Sequence, residues 1–278
     1  MTVFKSILLG IVQGVAEFLP ISSSGHLVIL QTVFGFEDIE ANYMLFDALL
    51  HLGTLIAVVI VYYRDIKAMI LEFVGFFREL RDPALKQEQV SPKRRLLLLV
   101  IIATLPLVFA VFLNNIFEKL FNSLISVGFA LLITGCILFL ADTIRRGKKT
   151  ERNASVWDAL IVGLCQLIGV VPGISRSGIT ISAGMFCGFD REFAVRFSFL
   201  MSIPAIIGAN AYTLIKALAS GAEKIEPGIY LAGIITAAVF GFAAIKLVQY
   251  IVKKNRFGGF AYYCWIIGAI TVIVSFII

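Results

Sequence analysis

Charge is scarce in this sequence. Of its 278 residues only 15% are Asp, Glu, Lys or Arg, against roughly a quarter in an average soluble domain. Apolar residues make up 59%, and the mean hydropathy is +0.95. A water-soluble fold cannot hide so much apolar side chain, because small domains keep a large exposed surface. The shortage of charge thus excludes disordered, coiled-coil and secreted disulfide-scaffold classes and leaves an integral membrane protein. Cysteine is scarce too. Cys136, Cys165, Cys187 and Cys264 are scattered through apolar stretches and none forms a CxxC pair. Neither a zinc site nor a disulfide framework is indicated, and all four read as small buried hydrophobes. A cleavable leader is not expected either. Lys5 precedes an apolar run, but Gln13 and Glu17 interrupt it and no small-residue cleavage site follows.

What charge there is leans basic, with a net charge of +6. The basic residues sit between apolar segments, where they set topology and meet anionic membrane lipids; no nucleic-acid partner is expected. A helix needs roughly 20 apolar residues to cross the hydrocarbon core. Six segments qualify: 44–63, 96–113, 123–141, 193–219, 229–252 and 260–278. Two further apolar stretches are interrupted, residues 3–36 by Pro20-Ile-Ser-Ser-Ser-Gly25 and residues 157–189 by Pro172-Gly-Ile-Ser-Arg-Ser-Gly178. Broken polar backbone at membrane depth is tolerated only when buried in protein or lining a wet cavity.

Connections 64–95, 142–156 and 253–259 hold 16 of the 24 Lys and Arg residues. Connections 37–43 and 220–228 carry only Lys224, beside Glu37, Asp38, Glu40, Glu223 and Glu226. The positive-inside rule puts the first three in the cytoplasm and the last two outside. This is consistent if the two broken stretches enter and return, leaving six full spans and both termini outside. Two short crossing helices per broken stretch would preserve parity as well. The segment 65–82 is amphipathic and is expected along the cytoplasmic interface. Arg196 and Lys246 are expected to snorkel to headgroups.

The broken stretches resemble each other. Ile21-Ser-Ser-Ser-Gly25 aligns with Ile174-Ser-Arg-Ser-Gly178 at an offset of 153, and the same offset aligns Gln13 with Gln166. Each copy is followed by three spans, so the second is inserted in the opposite sense. The expectation is an all-α polytopic membrane helix bundle, a single domain over 1–278. It is an inverted-topology repeat (about 1–150 and about 151–278) with two broken re-entrant helical hairpins.

An ionisable residue inside a membrane segment costs roughly 2.5–3.5 kcal/mol on insertion scales and points to function. The first hairpin offers Gln13, Glu17, Ser22, Ser23, Ser24 and His26. Gln13 and Glu17 are one helical turn apart on one face. A second helix starting at His26 would present unpaired N–H groups to an anion. The second hairpin offers Ser175, Arg176, Ser177 and Thr180. Arg176 has a planar fork suited to phosphate oxygens. Brought together, these residues suit a phosphate or diphosphate. Arg176 would stabilise the anion, Glu17 would bind a divalent cation or act as a base, and His26 would carry protons. A serine, or water directly, would attack phosphorus. Blander roles exist for each residue: serines after a proline cap helices, Gln13 and Glu17 can satisfy one another, and Arg176 can simply neutralise Glu17. Asp47 and His51 form a second pair four residues apart, equally suited to the cavity or to capping.

The run Gln13-Gly-Val-Ala-Glu-Phe-Leu-Pro-Ile-Ser-Ser-Ser-Gly-His26 resembles the first signature of the undecaprenyl-diphosphate phosphatase family (UppP, also called BacA). Pro172-Gly-Ile-Ser-Arg-Ser-Gly-Ile-Thr180 resembles its second. The resemblance implies hydrolysis of undecaprenyl diphosphate to undecaprenyl phosphate and inorganic phosphate, with a divalent cation, Mg²⁺ or Ca²⁺. It also implies cell-wall lipid recycling and bacitracin resistance in a bacterial inner (plasma) membrane. The site would open to the outer face. The family's functional positions fall on Gln13, Glu17, Ser23, His26, Ser175, Arg176 and Thr180. Position 13 is Gln where some members have Glu, which leaves one carboxylate for a metal. The other reading of an inverted repeat with broken helices is a secondary transporter or flippase for polyprenyl phosphate; a purely structural scaffold is the third. A homo-oligomer is compatible with the sequence.

Overall fold

In the computed structural model the described residues are 2–33, 44–82, 90–113, 123–144, 146–219 and 226–277. They are helical almost throughout, with a single isolated bridge between Lys149 and Phe189. In chain order the helices are α1 (Val3–Phe18), α2 (Ser23–Val33), α3 (Met44–Val61), α4 (Tyr63–Arg81), α5 (Pro92–Thr104), α6 (Val108–Phe112) and α7 (Leu124–Thr143). They continue as α8 (Val156–Ile168), α9 (Arg176–Phe186), α10 (Arg191–Ala219), α11 (Pro227–Lys253) and α12 (Gly259–Val274). Local chemistry marks the starts. Ser91 caps α5 ahead of Pro92, and Ser155 with Asp158 forms a capping box on α8.

Both interrupted stretches fold as pairs of short helices packed on each other, α1 on α2 and α8 on α9. α1 packs most extensively on α11, and α8 on α5. A glycine makes each approach close. A Cβ on Gly10 would lie 2.6 Å from the carbonyl oxygen of Gly233, and one on Gly163 would lie 2.4 Å from that of Ala103. These two glycines stand 153 residues apart, the offset of the serine motifs.

Three of the expected spans are single helices long and apolar enough to cross a membrane: α7, α10 (over Arg191–Ile215) and α11. The segment expected at 44–63 qualifies only together with α4, from which it is bent by 86°. The segment 96–113 is divided by a 3₁₀ turn at Leu105–Leu107, where Pro106 withholds an N–H. The last, α12, has 16 residues, which rise about 24 Å against a core of about 30 Å. The connection 37–43, Glu223 and Lys224 lie outside the described residues.

α4 has no fully buried residue, and Ile70, Leu71, Phe73, Phe77 and Leu80 are exposed along it. It is tied to α5 by Lys93–Asp65 at 2.6 Å and Arg94–Glu79 at 2.7 Å. Arg196, expected to snorkel, extends to carboxylates of the basic connections. Its guanidinium pairs with Glu151, lies 3.9 Å from Asp65 and covers the ring of Phe193. Of the cysteines only Cys264 is fully buried, and Cys136 is exposed on α7.

Candidate active site

The first break starts where Pro20 forces Leu19 out of the helix, to ψ 141°. Ser22 follows in the left-handed region, with φ 71°. It caps α2, its Oγ accepting the N–H of Gly25 at 3.2 Å. The helix therefore starts at Ser23, three residues before the expected His26, because Ser22 already serves as its cap. At the second break Gly173 takes the left-handed conformation, with φ 89°, and Ser175 caps α9 by accepting the N–H of Gly178 at 3.1 Å. Thr134 of α7 braces this turn: its Oγ1 donates to the Gly173 carbonyl and accepts the N–H of Ser175, both at 3.2 Å.

The two breaks touch. A Cβ on Gly25 would lie 3.0 Å from the Cα of Gly173, and Ser177 Oγ donates to the Leu19 carbonyl at 3.3 Å. Their meeting point is Glu17, only 7% exposed. Its Oε1 accepts a short hydrogen bond from Nη2 of Arg176. Its Oε2 accepts from Ser23 Oγ at 2.6 Å and from Gln13 Nε2 at 3.0 Å, and His51 Nε2 stands 3.6 Å away. Ser23 and Arg176 are the first residues of α2 and α9. Two helix N-termini and a guanidinium thus converge on one carboxylate, an excess of positive potential suited to an anion.

The structure brings together Gln13, Glu17, Ser23 and Arg176 as expected. His26 has other partners. Its Nδ1 lies 2.7 Å from the Ser22 carbonyl and its Nε2 2.8 Å from the Tyr263 hydroxyl. Four expected substrate-binding hydroxyls are turned to structural work. Ser22 and Ser175 are buried caps, and Ser177 links the breaks. Thr180 is 1% exposed and its Oγ1 is 2.7 Å from Ser198 Oγ on α10 and 2.8 Å from the Arg176 carbonyl. In this structure all four hydroxyls are buried and held by protein partners, Thr180 by α10 as well as by its own helix. Ser24 is part-exposed, 3.4 Å from Ser22 Oγ.

His51 comes in from α3, with Nδ1 2.8 Å from the Asp47 carbonyl. The Asp47 carboxylate turns away to accept from Gln31 Nε2 at 2.9 Å. The i, i+4 pair was the available signal for His51. Tyr263 gave none, being one aromatic among many in an apolar segment.

A family model described as bacitracin resistance protein BacA matches residues 6–270. An undecaprenyl-diphosphatase of Halothermothrix orenii is 40% identical over 276 residues, covering 99% of both chains. Another, of Methanosphaera stadtmanae, is 40% identical over 280 residues with the same coverage. A third, of Desulfatibacillum aliphaticivorans, is 42% identical over 279 residues and covers 98% of each.

Proposed function

The chain belongs to the bacitracin resistance protein BacA family, and on that premise we propose that it hydrolyses undecaprenyl diphosphate to undecaprenyl phosphate and inorganic phosphate. It is a membrane protein, with several helices too apolar for water. The reaction recycles the cell-wall lipid carrier and, by depleting the diphosphate, confers resistance to bacitracin.

One observation carries the reading. Glu17 holds Ser23 Oγ at 2.6 Å on one oxygen and Arg176 on the other. Arg176 and the N-termini of α2 and α9 bind the terminal phosphate and stabilise charge as it grows on the equatorial oxygens. Glu17 accepts the Ser23 proton as Oγ attacks the terminal phosphorus. The P–O bond to the bridging oxygen breaks and undecaprenyl phosphate leaves. Water then attacks the phosphoserine, and the proton that Glu17 holds returns to Ser23 as inorganic phosphate departs. His26 moves protons to and from solvent.

A divalent cation, Mg²⁺ or Ca²⁺, belongs to the proposal. The donor set fits one. The buried side-chain oxygen of Gln13 has no hydrogen-bond partner, and turning the amide over would exchange it with the nitrogen that now meets Glu17 at 3.0 Å. Among the described residues no three or more His, Cys, Asp or Glu side chains are grouped so as to hold a metal ion. Glu17 and Gln13 would therefore hold the ion with phosphate oxygens completing its shell, as Mg²⁺ commonly binds. When bound, the ion neutralises phosphate charge.

The topology proposed is six spans and two oppositely inserted re-entrant hairpins in a bacterial plasma membrane, with both termini and the site's mouth outside. The exchange of partners, α1 on α11 and α8 on α5, supports the repeat, as do the matched glycines. The polyprenyl tail stays in lipid.

The test is phosphate release from a polyprenyl diphosphate by the purified protein in detergent, with and without a chelator. Release that stops with chelator and returns with Mg²⁺ is expected. No release in detergent, with vectorial movement of polyprenyl phosphate in vesicles, would replace hydrolysis by transport.

A further inference from the structure

The chain has two histidines; each sets Nδ1 against the carbonyl four residues back, but they differ at Nε2, which in His26 meets a phenol and in His51 faces the Glu17 carboxylate 3.6 Å away. Both ring nitrogens of His26 are engaged. Nδ1 lies 2.7 Å from the carbonyl oxygen of Ser22, which can only accept, so Nδ1 carries the proton. In the neutral ring Nε2 is then a lone pair, and the phenol of Tyr263, 2.8 Å away, donates to it. The two rings also stack, with centroids 5.7 Å apart and planes 11° apart. Tyr263 belongs to α12, an element far in sequence from either motif, and it is exposed.

Two devices therefore hold one imidazole. The Ser22 carbonyl points at Nδ1 from a residue with φ 71°, a conformation costly for a non-glycine residue. Tyr263 fixes the other edge and the plane of the ring. We propose that Tyr263 is a positioning residue of this site. It keeps His26 in the tautomer protonated on Nδ1, with Nε2 ready to accept a proton, before substrate arrives. The phenol and a water molecule or other proton source are alternative donors to the same lone pair. The hydroxyl thus holds a place that the reaction refills without turning the ring. Preset orientation of this kind removes reorganisation from the reacting step.

The inference rests on the proposed function, in which His26 moves protons. Its test uses the purified full chain in detergent. Tyr263→Phe keeps the stacked ring and removes one hydroxyl. Expected is a fall of about tenfold in kcat with KM unchanged, a fraction of the 10²–10⁴ that general acid–base groups supply. His26→Gln is expected to lose more. The double variant is expected to lose no more than His26→Gln alone, because the phenol acts only through the imidazole. With ¹⁵N-labelled histidine only two ring systems report, and His51→Gln assigns them. The unprotonated nitrogen of His26 is expected to change its resonance in Tyr263→Phe while His51 keeps its own.

Losses that multiply in the double variant would overturn the proposal, as would Tyr263→Phe with unchanged kcat and unchanged His26 resonances. In both cases His26→Gln remains impaired, so the proposed function stands. Full activity of His26→Gln would instead remove the premise. Tyr263→Leu, which also loses the ring, provides a second variant: it should lose at least as much kcat as Tyr263→Phe, and wild-type kcat there would likewise overturn the role.

Discussion

At each break a serine caps the returning helix, Ser22 through the N–H of Gly25 and Ser175 through that of Gly178, and these four residues pair off at one offset of 153. The chemistry on the two frames differs. Where the first hairpin has Glu17, Ser23 and His26, the same offset in the second gives Val170, Arg176 and Ile179. One half brings the carboxylate, the hydroxyl and the imidazole, and the other brings the guanidinium. A shared backbone device thus places two helix N-termini against one point, while unlike side chains make that point able to hold an anion and act on it. Neither hairpin is a site alone.

Removing the charge from either side breaks this division most severely. Arg176→Ala and Glu17→Ala should each lower kcat/KM by on the order of 10²–10³, the range found when one preorganised stabiliser of a transition state is lost. Breaking a buried pair also leaves a charge uncompensated, at about 3–5 kcal/mol. Helicity and elution as a folded species in detergent therefore need checking alongside phosphate release. Near-normal turnover by either folded variant would show that the two hairpins do not share a headgroup.

The second contrast is conformational. The left-handed residue is a serine in the first break and a glycine in the second, two positions earlier relative to the cap. A Cβ on Gly173 would lie 2.6 Å from the carbonyl oxygen of Val127. Gly173→Ala therefore combines an unfavourable φ with overpacking, and should cost about 2–3 kcal/mol. Denaturant unfolding in detergent measures it. Ser22→Gly should cost far less, because the relief of strain offsets the lost cap.

The breaks were legible because proline, serine and glycine interrupt apolar runs that otherwise continue, and Glu17 and Arg176 because charge in such runs is costly. The partners of the hydroxyls were not legible, for a physical reason. A serine that caps a helix and one that faces a ligand have the same sequence signature, and only tertiary packing, including that of α9 on α10, buried Ser22, Ser175, Ser177 and Thr180. Span lengths were blurred by the sharp bend after Val61 and the 3₁₀ turn at Pro106, since hydropathy does not register direction. Asp47 and His51 share a face of α3, yet which neighbour that face meets depends on how α3 packs on α1, a long-range contact.

His51 adds a third element to the first hairpin's side of the comparison. Its Nε2 is 3.6 Å from Glu17 Oε2, beyond an ordinary hydrogen bond but facing the carboxylate. His51→Ala should lower kcat/KM about tenfold, the size of effect expected from losing one polar neighbour of the Glu17 carboxylate. The loss should vanish in a Glu17→Ala background, where nothing remains for the imidazole to address. A loss of equal size in both backgrounds would make His51 a packing residue of α3.

The smallest effect separates the glutamines that occupy matching places in the two hairpins. Gln13 donates to Glu17 at 3.0 Å and leaves its side-chain oxygen without a partner; Gln166 is buried with neither amide atom partnered. Gln13→Glu would set two carboxylates about one hydrogen-bond length apart, a repulsion that a divalent cation relieves and that is otherwise relieved by taking up a proton. The variant should reach half-maximal phosphate release at about fivefold lower Mg²⁺ than wild type, a coupling of about 1 kcal/mol. Gln166→Glu has Val170 where Glu17 would be, so it gains no second carboxylate. Its half-saturating Mg²⁺ should match wild type, whatever the buried charge costs the fold. Equal shifts in both variants would mean that the cation does not distinguish the hairpins, and that Glu17 is not where it binds.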